Sequence, residues 1–255
     1  MRYLMICTLA GAALLPRSPA SAVTVGAEYA QTNTCGWATI PNTKPDAEGF
    51  VNMMQAFGHT KRYLYGNGSF WPEDAVDCTV PGGLDCYYGD RPNVVFYSTH
   101  GGSSATRFRM AAGATHTVDG ISTCTSDTNN PVTGRQWWKL GDNSARILCL
   151  STCQGLQLTD LSHWDSVAKG LHMICGFDGS ESDSPSVGGS FALWGNLGLT
   201  VKQAWFNARP SGNKAVVMAY GTSQADAINR REGERFSSSM AAIPPHSWRA
   251  WAWIQ

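Results

Sequence analysis

The chain has 255 residues, of which 43% are hydrophobic and 15% are charged, and its formal net charge is +0. This length and composition suit one sizeable α/β domain and are short for two. The balanced charge argues against binding to nucleic acid or to an anionic membrane surface, because both require a basic excess.

The N-terminal segment has the pattern of a secretory signal peptide. Arg2 supplies a positive charge, residues 4–15 form an apolar run, and the Ser-Pro-Ala-Ser-Ala sequence that follows ends in small residues recognised by signal peptidase. The run is shorter than the ~20 residues of a membrane span, and no later segment is apolar enough to be one. We expect cleavage after Ala22, a single mature domain over residues 23–255, and a secreted or periplasmic location.

The first half of the mature chain alternates between extended and helical patterns. Strands are predicted over residues 23–30, 61–65 and 94–98, the last of them strongly buried, and a helix over 46–58. Residues 101–135 are rich in Gly, Ser, Thr and Asn and show little periodicity. They are predicted to form a long loop or a weak hairpin, which in a compact domain is usually functional, mobile or cleaved.

The second half alternates strands and helices more regularly. The predicted elements are a helical turn over 136–140, strands over 147–151, 171–177 and 215–220, helices over 156–170, 190–209 and 224–229, and an extended end over 246–255. This alternation predicts right-handed crossovers and a parallel sheet. Trp248, Trp251 and Trp253 alternate as in a half-buried strand, so core packing is favoured for them over a sugar-binding platform.

The cysteine content agrees with export. Cys7 leaves with the signal peptide, and the seven cysteines that remain cannot all pair, so a secreted chain keeps at least one free thiol. Cys78 and Cys86 bracket a Pro-Gly-Gly turn and can close a small disulfide loop. Cys35 with Cys124 is a second, weaker candidate pair.

The three other cysteines have different surroundings. Cys149 and Cys175 lie inside apolar runs, where a free cysteine usually behaves as a small buried hydrophobe. Cys153 follows an apolar run and is two residues before Gly155, as in an exposed turn. Cys153 is therefore the natural candidate for the unpaired, reactive thiol.

Two stretches of the chain share one design. Residues 93–102 read Asn-Val-Val-Phe-Tyr-Ser-Thr-His-Gly-Gly, and residues 146–155 read Arg-Ile-Leu-Cys-Leu-Ser-Thr-Cys-Gln-Gly. In each stretch, an apolar run typical of a buried strand is followed by Ser-Thr, one reactive side chain and glycine. Because neighbouring parallel strands are about 5 Å apart and end at one edge, His100 and Cys153 are expected to share a cleft.

This pair suggests nucleophilic catalysis. A thiol attacks as thiolate, and His100 is the type of neighbour that can take the proton of Cys153. The backbone N–H groups of Gly101 and Cys153 can form an oxyanion hole, with Ser151 and Thr152 along the floor. The alternatives for the two side chains are a merely buried thiol and a structural histidine.

The residues that carry this design resemble a known clan. The motifs Ser-Thr-His100-Gly101 and Ser-Thr-Cys153-Gln154-Gly155 are similar to those of caspase, legumain and gingipain cysteine peptidases, and to uncharacterised secreted bacterial proteins of this type. The spacing of 53 positions between histidine and cysteine is close to the roughly 50 of caspases. The match departs from the usual pattern immediately before the cysteine, where Ser-Thr replaces the Gln-Ala of caspases.

The resemblance implies a fold and a set of roles. The fold is a caspase-like three-layer α/β sandwich, with a mostly parallel central sheet and helices on both faces. Cys153 would be the nucleophile that forms a thioester, His100 the general base and acid, and the Gly101 and Cys153 amides the oxyanion donors.

The resemblance leaves the substrate preference open. In the clan, the residue two before the cysteine helps to line the pocket for the side chain that precedes the scissile bond. Here it is Ser151, without the acid that basic-specific relatives often have, so no Arg or Lys preference is carried over. Asp178, Glu181 and Asp183 follow the next strand and are candidates for negative charge in this pocket. A solvated polar loop is the commoner state of such a cluster.

Three functions remain open at this point. The first is a secreted cysteine endopeptidase acting on a peptide or protein, the second a transpeptidase or amidase with the same dyad, and the third a catalytically silent binding module. No cofactor is expected, because the histidines show no metal-ligand spacing, although a structural calcium ion is not ruled out. Nucleic acid and, after signal removal, membrane are not expected partners, and the oligomeric state is open.

Overall fold

A seven-stranded sheet is the centre of the computed structural model, which describes residues 22–236, 241–243 and 248–255. Nearly all of the predicted signal peptide, residues 1–21, lies outside the described residues. The strands are β1 (Thr24–Tyr29), β2 (Thr60–Gly66), β3 (Val94–Ser98), β4 (Gly101–Ser104), β5 (Arg107–Val118), β6 (Ile121–Asp127), β7 (Ile147–Ser151), β8 (Met173–Asp178), β9 (Lys214–Gly221) and β10 (Trp248–Ile254). The helices are α1 (Thr43–Ala56), α2 (Trp164–Val167), α3 (Val187–Asn196), α4 (Val201–Ala208) and α5 (Gln224–Gly233).

The central sheet is mostly parallel, as predicted. Its strand order is β2-β1-β3-β7-β8-β9-β10, and the pairings from β2 to β8 are all parallel. β9 runs antiparallel to β8, and β10 antiparallel to β9. The expectation of parallel pairing through residues 147–220 is therefore wrong at β9. Two successive helices, α3 and α4, connect β8 to β9 where one was predicted, and the second turns the chain back.

Side chains alternate between the two faces of the sheet, and each face has its own apolar core. Phe96, Cys149 and Cys175 point to the face covered by α1, α3 and α4. Tyr97 and Leu150 point to the opposite face, which is covered by α2, loops and aromatic side chains. Continuous apolar runs are typical of strands buried on both faces, which is why β3 and β7 could be located from sequence.

The second face is covered by an element that the sequence analysis did not predict. Residues 101–135, expected to be a loop or weak hairpin, contain the three-stranded antiparallel sheet β4-β5-β6. Phe108 and Met110 of β5 are fully buried against the central sheet, while Arg109 between them is exposed. Helices thus flank the central sheet, but this small sheet provides much of the layer on one side.

Two other predicted helical segments are shorter or absent. The helix expected over 156–170 is reduced to a 3-10 turn at Leu161–His163 followed by α2. Its first residues form turns and no helix, and Leu156 N–H donates to Phe177 O of β8 at 3.1 Å. Residues 136–140 form no helical turn, since the N–H groups of Trp137 and Trp138 both donate to Thr128 O.

The helix expected over 190–209 is divided into α3 and α4. Gly198, with φ at +94°, stands between them in a backbone conformation that favours glycine. Thr200 then caps α4, because its hydroxyl accepts the Gln203 N–H while the Gln203 side chain accepts the Thr200 N–H. The helical spacing of apolar residues continues from α3 into α4, so the sequence pattern did not reveal that a second helix begins.

The tryptophan-rich C-terminal strand packs differently from its prediction. Trp248, Trp251 and Trp253 are 48%, 45% and 51% exposed, so their expected burial in the core is wrong. β10 is an edge strand paired only with β9. The Lys214 ammonium lies 4.4 Å above the centre of the Trp253 ring, a cation–π contact at the surface.

The cysteines pair as predicted. Cys78–Cys86 and Cys35–Cys124 are disulfides, and these bonds fit a protein of an oxidising compartment. Cys149, Cys153 and Cys175 are free, and Cys149 and Cys175 are fully buried, opposite each other on β7 and β8. Within the described parts of the chain, no helix is long and apolar enough to cross a membrane.

Candidate active site

The candidate site lies where β3 and β7 end side by side. Ser98 and Ser151, the last residues of these strands, are in register, and Thr99 N–H extends the pairing by donating to Ser151 O at 3.3 Å. His100 and Cys153 come directly after, and both line one cavity of about 250 Å³. The structure therefore brings the two predicted catalytic side chains to a shared cleft.

A backbone carbonyl determines the protonation of the His100 ring. Nε2 of His100 lies 2.8 Å from the carbonyl oxygen of Ala38. A carbonyl can only accept a hydrogen bond, so Nε2 carries the proton and, in the neutral ring, Nδ1 is the acceptor. The Trp37 ring, with its centroid 5.5 Å from that of the imidazole, packs beside the histidine.

The segment that supplies this carbonyl is shaped locally and anchored at long range. Asn33 Oδ1 accepts the N–H groups of Cys35 and Trp37 at 3.0 and 3.1 Å, a turn that asparagine side chains favour. Cys35 is in turn linked to Cys124 on β6. The disulfide thus holds the loop that orients His100. Neither Trp37 nor Ala38 was predicted, because a backbone acceptor has no sequence signature.

Cys153 is half-buried at the start of a tight turn. Its Sγ accepts the Glu181 N–H at 3.3 Å. Gln154 has φ at +58°, an uncommon value outside glycine, and is held there because its N–H donates to Gly179 O at 2.7 Å and its Oε1 accepts Ser103 N–H at 2.8 Å. These bonds to β4 and to the loop after β8 fix the direction of the cysteine.

The glycine after the candidate base permits close contact between the two strand ends. A Cβ added to Gly101 would collide with the carbonyl oxygen of Cys153 and would lie 2.8 Å from the Thr152 side chain. Only glycine therefore fits at position 101 without a shift of the backbone. This contact sets the Gly101 backbone directly against the Cys153 turn.

Carboxylates occupy the inner end of the cavity. Ser151 Oγ donates to Glu181 Oε1 at 3.1 Å. Behind them Asp46, in the first turn of α1, accepts from Ser98 Oγ at 3.1 Å and from Gly188 N–H at 2.6 Å. Asp46 was not predicted as a site residue, since an acid in the first turn of a helix is ordinarily a surface residue.

These carboxyls hold protons more tightly than usual. Burial raises the pKa of Glu181 to about 8, and the nearby charge of Asp46 adds to the rise. Burial also raises the pKa of Asp46 to about 7, although its hydrogen bonds from Gly188, Ser151 and Ser98 act in the opposite direction. Both shifts have the sign expected for buried acids without a cationic neighbour.

The other acids named from the sequence divide between two environments. Asp183 lines the cavity together with Ser151, and its Oδ2 accepts the Asn42 N–H at 3.2 Å. Asp178 is outside the cavity lining and forms an ion pair of 2.7 Å with Lys214. Of the three acids predicted to add charge to the pocket, Glu181 and Asp183 therefore line the cavity and Asp178 does not.

One grouping of potential metal ligands occurs among the described residues, and it is distant in sequence from this site. Cys78, Asp85 and Cys86 have ligand atoms within 4.8 Å of one another. Both cysteines belong to a disulfide, so neither sulfur can ligate as a thiolate.

Removing the Cys35–Cys124 disulfide by the double change Cys35→Ser and Cys124→Ser should lower the free energy of unfolding by about 4 to 5 kcal/mol. The bond closes a sequence separation of 89, and long loops lose the most unfolded-chain entropy when crosslinked. Urea denaturation measures the change. Cys78→Ser with Cys86→Ser, across a separation of 8, is the control and should cost about 2 to 3 kcal/mol. Equal costs would contradict the entropic account.

Comparison with known families gives one match. The family described as "Domain of unknown function (DUF6345)" matches residues 27–255, a range that includes all the residues of the candidate site. No curated protein matches the chain.

Proposed function

The chain belongs to the DUF6345 family, a domain of unknown function, and we propose that it is a secreted cysteine peptidase with a caspase-like fold. The observation that carries the proposal is the shared cavity of His100 and Cys153, with the His100 ring held by the Ala38 carbonyl. The signal peptide predicted over residues 1–22 would export the chain, and the two disulfides suit that destination.

The caspase-like assignment is supported by topology. Five neighbouring parallel strands end in an antiparallel edge, and the two reactive side chains follow adjacent strands at the carboxyl edge of the sheet. That edge is where open α/β sheets place their ligands. The His-Gly and Cys-x-Gly motifs that resemble the clan stand at those two strand ends.

The first chemical step joins the thiol to the substrate carbonyl. His100 Nδ1 takes the proton of Cys153 as Sγ attacks the carbonyl carbon, and the carbonyl π electrons move to oxygen. The hydrogen bond from Glu181 N–H to Sγ stabilises negative charge on sulfur. The Ala38 carbonyl accepts from Nε2 throughout, so it keeps the ring oriented and stabilises the imidazolium that forms.

The remaining steps release the two products. The N–H groups of Gly101 and Cys153 donate to the oxyanion of the tetrahedral intermediate. When the intermediate collapses, the C–N bond breaks and His100 gives its proton to the leaving amine, which leaves a thioester on Cys153. Water, deprotonated by the same Nδ1, then attacks the thioester and returns the free thiol and a carboxylic acid.

Two other functions are compatible with the same cleft. In a transpeptidase or amidase the acyl group is transferred to an amine, or removed from a side-chain amide. Product analysis with an added amine separates transfer from hydrolysis. In a catalytically silent binding module, Cys153 would react with electrophiles no faster than the buried thiols.

Thiol labelling tests the proposal directly. Iodoacetamide at neutral pH, followed by peptide mass spectrometry, should modify Cys153 well before Cys149 and Cys175, because both of those thiols are fully buried. The same preparation should cleave members of an unbiased peptide library, and prior alkylation should abolish that cleavage. Undiminished cleavage after complete alkylation of Cys153 would overturn the assignment.

A further inference from the structure

The cavity beside Cys153 has an acidic lining without a basic counterpart. Glu181 and Asp183 line it, and Asp46 lies immediately behind, linked to the wall by the Ser98 hydroxyl. No lysine or arginine belongs to the lining of this cavity. Among the residues whose positions are described, none of the three acids forms an ion pair with a basic side chain. By contrast, Asp178, the last residue of β8, is paired with Lys214.

The cavity lies directly beside Cys153. A substrate side chain that fills the cavity would therefore belong to the residue next to the bond that Cys153 attacks. Glu181 contributes its backbone N–H to Cys153 Sγ and its carboxylate to the cavity, where Ser151 Oγ holds Oε1. A side chain entering beside the sulfur would therefore meet this carboxylate. At about 250 Å³ the space suits one extended side chain and is smaller than ordinary small-molecule sites.

Unpaired buried acids make such a space selective for cations. Glu181 and Asp46 repel each other and are partly desolvated, so the empty cavity retains protons near neutral pH. An entering cation replaces those protons and interacts with the carboxylates in a medium of lower dielectric than water, where the attraction is stronger. An anionic side chain would be repelled by the ionised carboxylates, and a neutral one would gain no charge attraction from them.

We propose that this cavity receives the lysine or arginine side chain that precedes the scissile bond, with the Glu181 carboxylate as the residue that determines this specificity. The inference rests on the proposed peptidase function for its catalytic meaning, but cation binding by the cavity does not require catalysis. In the sequence, Ser151 indicated no preference for the substrate residue before the scissile bond. In the structure, Ser151 contributes to the pocket by orienting Glu181. Asp183 adds charge at the entrance, and Asp46 adds it from behind.

Binding to a catalytically disabled chain tests the cavity by itself. Benzamidine is a permanent cation at neutral pH, and benzamide is its neutral analogue of nearly equal shape. In calorimetry with the Cys153→Ala protein, benzamidine should bind at least about tenfold more tightly than benzamide. Glu181→Gln should remove that difference. Asp178→Asn, which changes an acid at the end of β8 and outside the cavity lining, should preserve it.

The pH dependence of benzamidine binding provides a second readout. Affinity should fall as the pH decreases from about 8 to about 6, because protons compete for Glu181 and Asp46. His100 and Asp183 also line the cavity. The alanine at position 153 carries no titratable group. The Glu181→Gln protein should show a flatter profile.

Peptide cleavage then tests the specificity. Two substrates that differ only at the residue before the scissile bond, arginine against the neutral norleucine, should differ in kcat/KM by about 100-fold. Glu181→Gln should lower the arginine value towards the norleucine value, mainly through KM, whereas Asp178→Asn, outside the cavity lining, should leave both values unchanged. Equal cleavage of both substrates by the wild type would overturn the inference and leave the peptidase function standing. Benzamidine binding without any cleavage would uphold a cation site and count against the peptidase.

Discussion

Replacing Cys153 by alanine should lower kcat/KM for peptide cleavage by about 10⁴-fold or more, with the folded structure retained. Removing the nucleophile of a covalent mechanism removes the whole acyl-enzyme route, so such changes are among the largest in enzymology. The residue is half-buried at a turn, and losing one sulfur atom there costs little packing. Initial rates on a substrate found by library profiling measure the loss, and circular dichroism with thermal unfolding verifies the fold.

Cys149→Ala is the matched control for that experiment. Cys149 is on β7, four residues before Cys153, but it is fully buried against the layer formed by α1, α3 and α4. Burial raises the pKa of its thiol well above the usual range, so it cannot supply a thiolate near neutral pH. Its replacement should leave kcat unchanged at a temperature where the variant is folded. If Cys149→Ala abolished cleavage and Cys153→Ala did not, the assignment of the nucleophile would be wrong.

Replacing His100 by alanine should lower kcat by about 10³-fold, because a positioned general base and acid contributes on the order of 10²–10⁴ in rate. The residual rate should increase with pH, since hydroxide then takes over the role of the base. Added imidazole should restore part of the activity, as it can enter the space that the ring leaves. Steady-state rates as a function of pH and of imidazole concentration provide the measurement.

His116→Ala is the control for the histidine experiment. His116 on β5 pairs with Glu73 at 2.7 Å and stacks on Trp71, outside the lining of the candidate cavity. Its replacement should leave kcat and the imidazole response unaffected. A loss of activity in His100→Ala that imidazole does not rescue and that melting experiments attribute to unfolding would assign His100 a structural role.

The proposed specificity of the site depends on a residue outside the motif, so a comparison of motif residues with those of the clan does not find it. Ser151 stands where the clan often carries a pocket residue, and as a serine it suggested no preference for charge. In the folded chain its hydroxyl holds Glu181, thirty positions later, at the inner end of the cavity. In the proposed pocket, the acid that the motif lacks would come from Glu181 in the loop after β8, where sequence alone favoured a solvated cluster.

The sequence by itself located the buried strands of the central sheet and the candidate pair His100 and Cys153. β3 and β7 were located closely because a strand buried on both faces must be a continuous apolar run, and such runs are rare. His100 and Cys153 were then identified by the identical Ser-Thr breaks that follow the two runs. The disulfide Cys78–Cys86 was proposed from the turn that its cysteines bracket, whereas Cys35–Cys124 was a weaker candidate pair, and the structure contains both.

The tertiary structure alone decided the elements whose partners are distant in the chain. Residues 101–135 form a sheet although Gly, Ser and Thr give little local pattern, because β5 gains its stability from burial of Phe108 and Met110 against the second face. β9 reversed its direction because a second helix preceded it. The tryptophans of β10 stayed half-exposed because an edge strand has a neighbour on one side only.

The details of the site were likewise decided by folding. The acceptor of the His100 proton is a backbone carbonyl, 62 positions away, and every residue type carries one. Asp46 looks like an ordinary first-turn acid until α3 brings the Gly188 N–H against it and removes it from water. The two candidate catalytic side chains follow recognisable local patterns, whereas the acidic character of their cavity arises only when separate segments meet and exclude solvent.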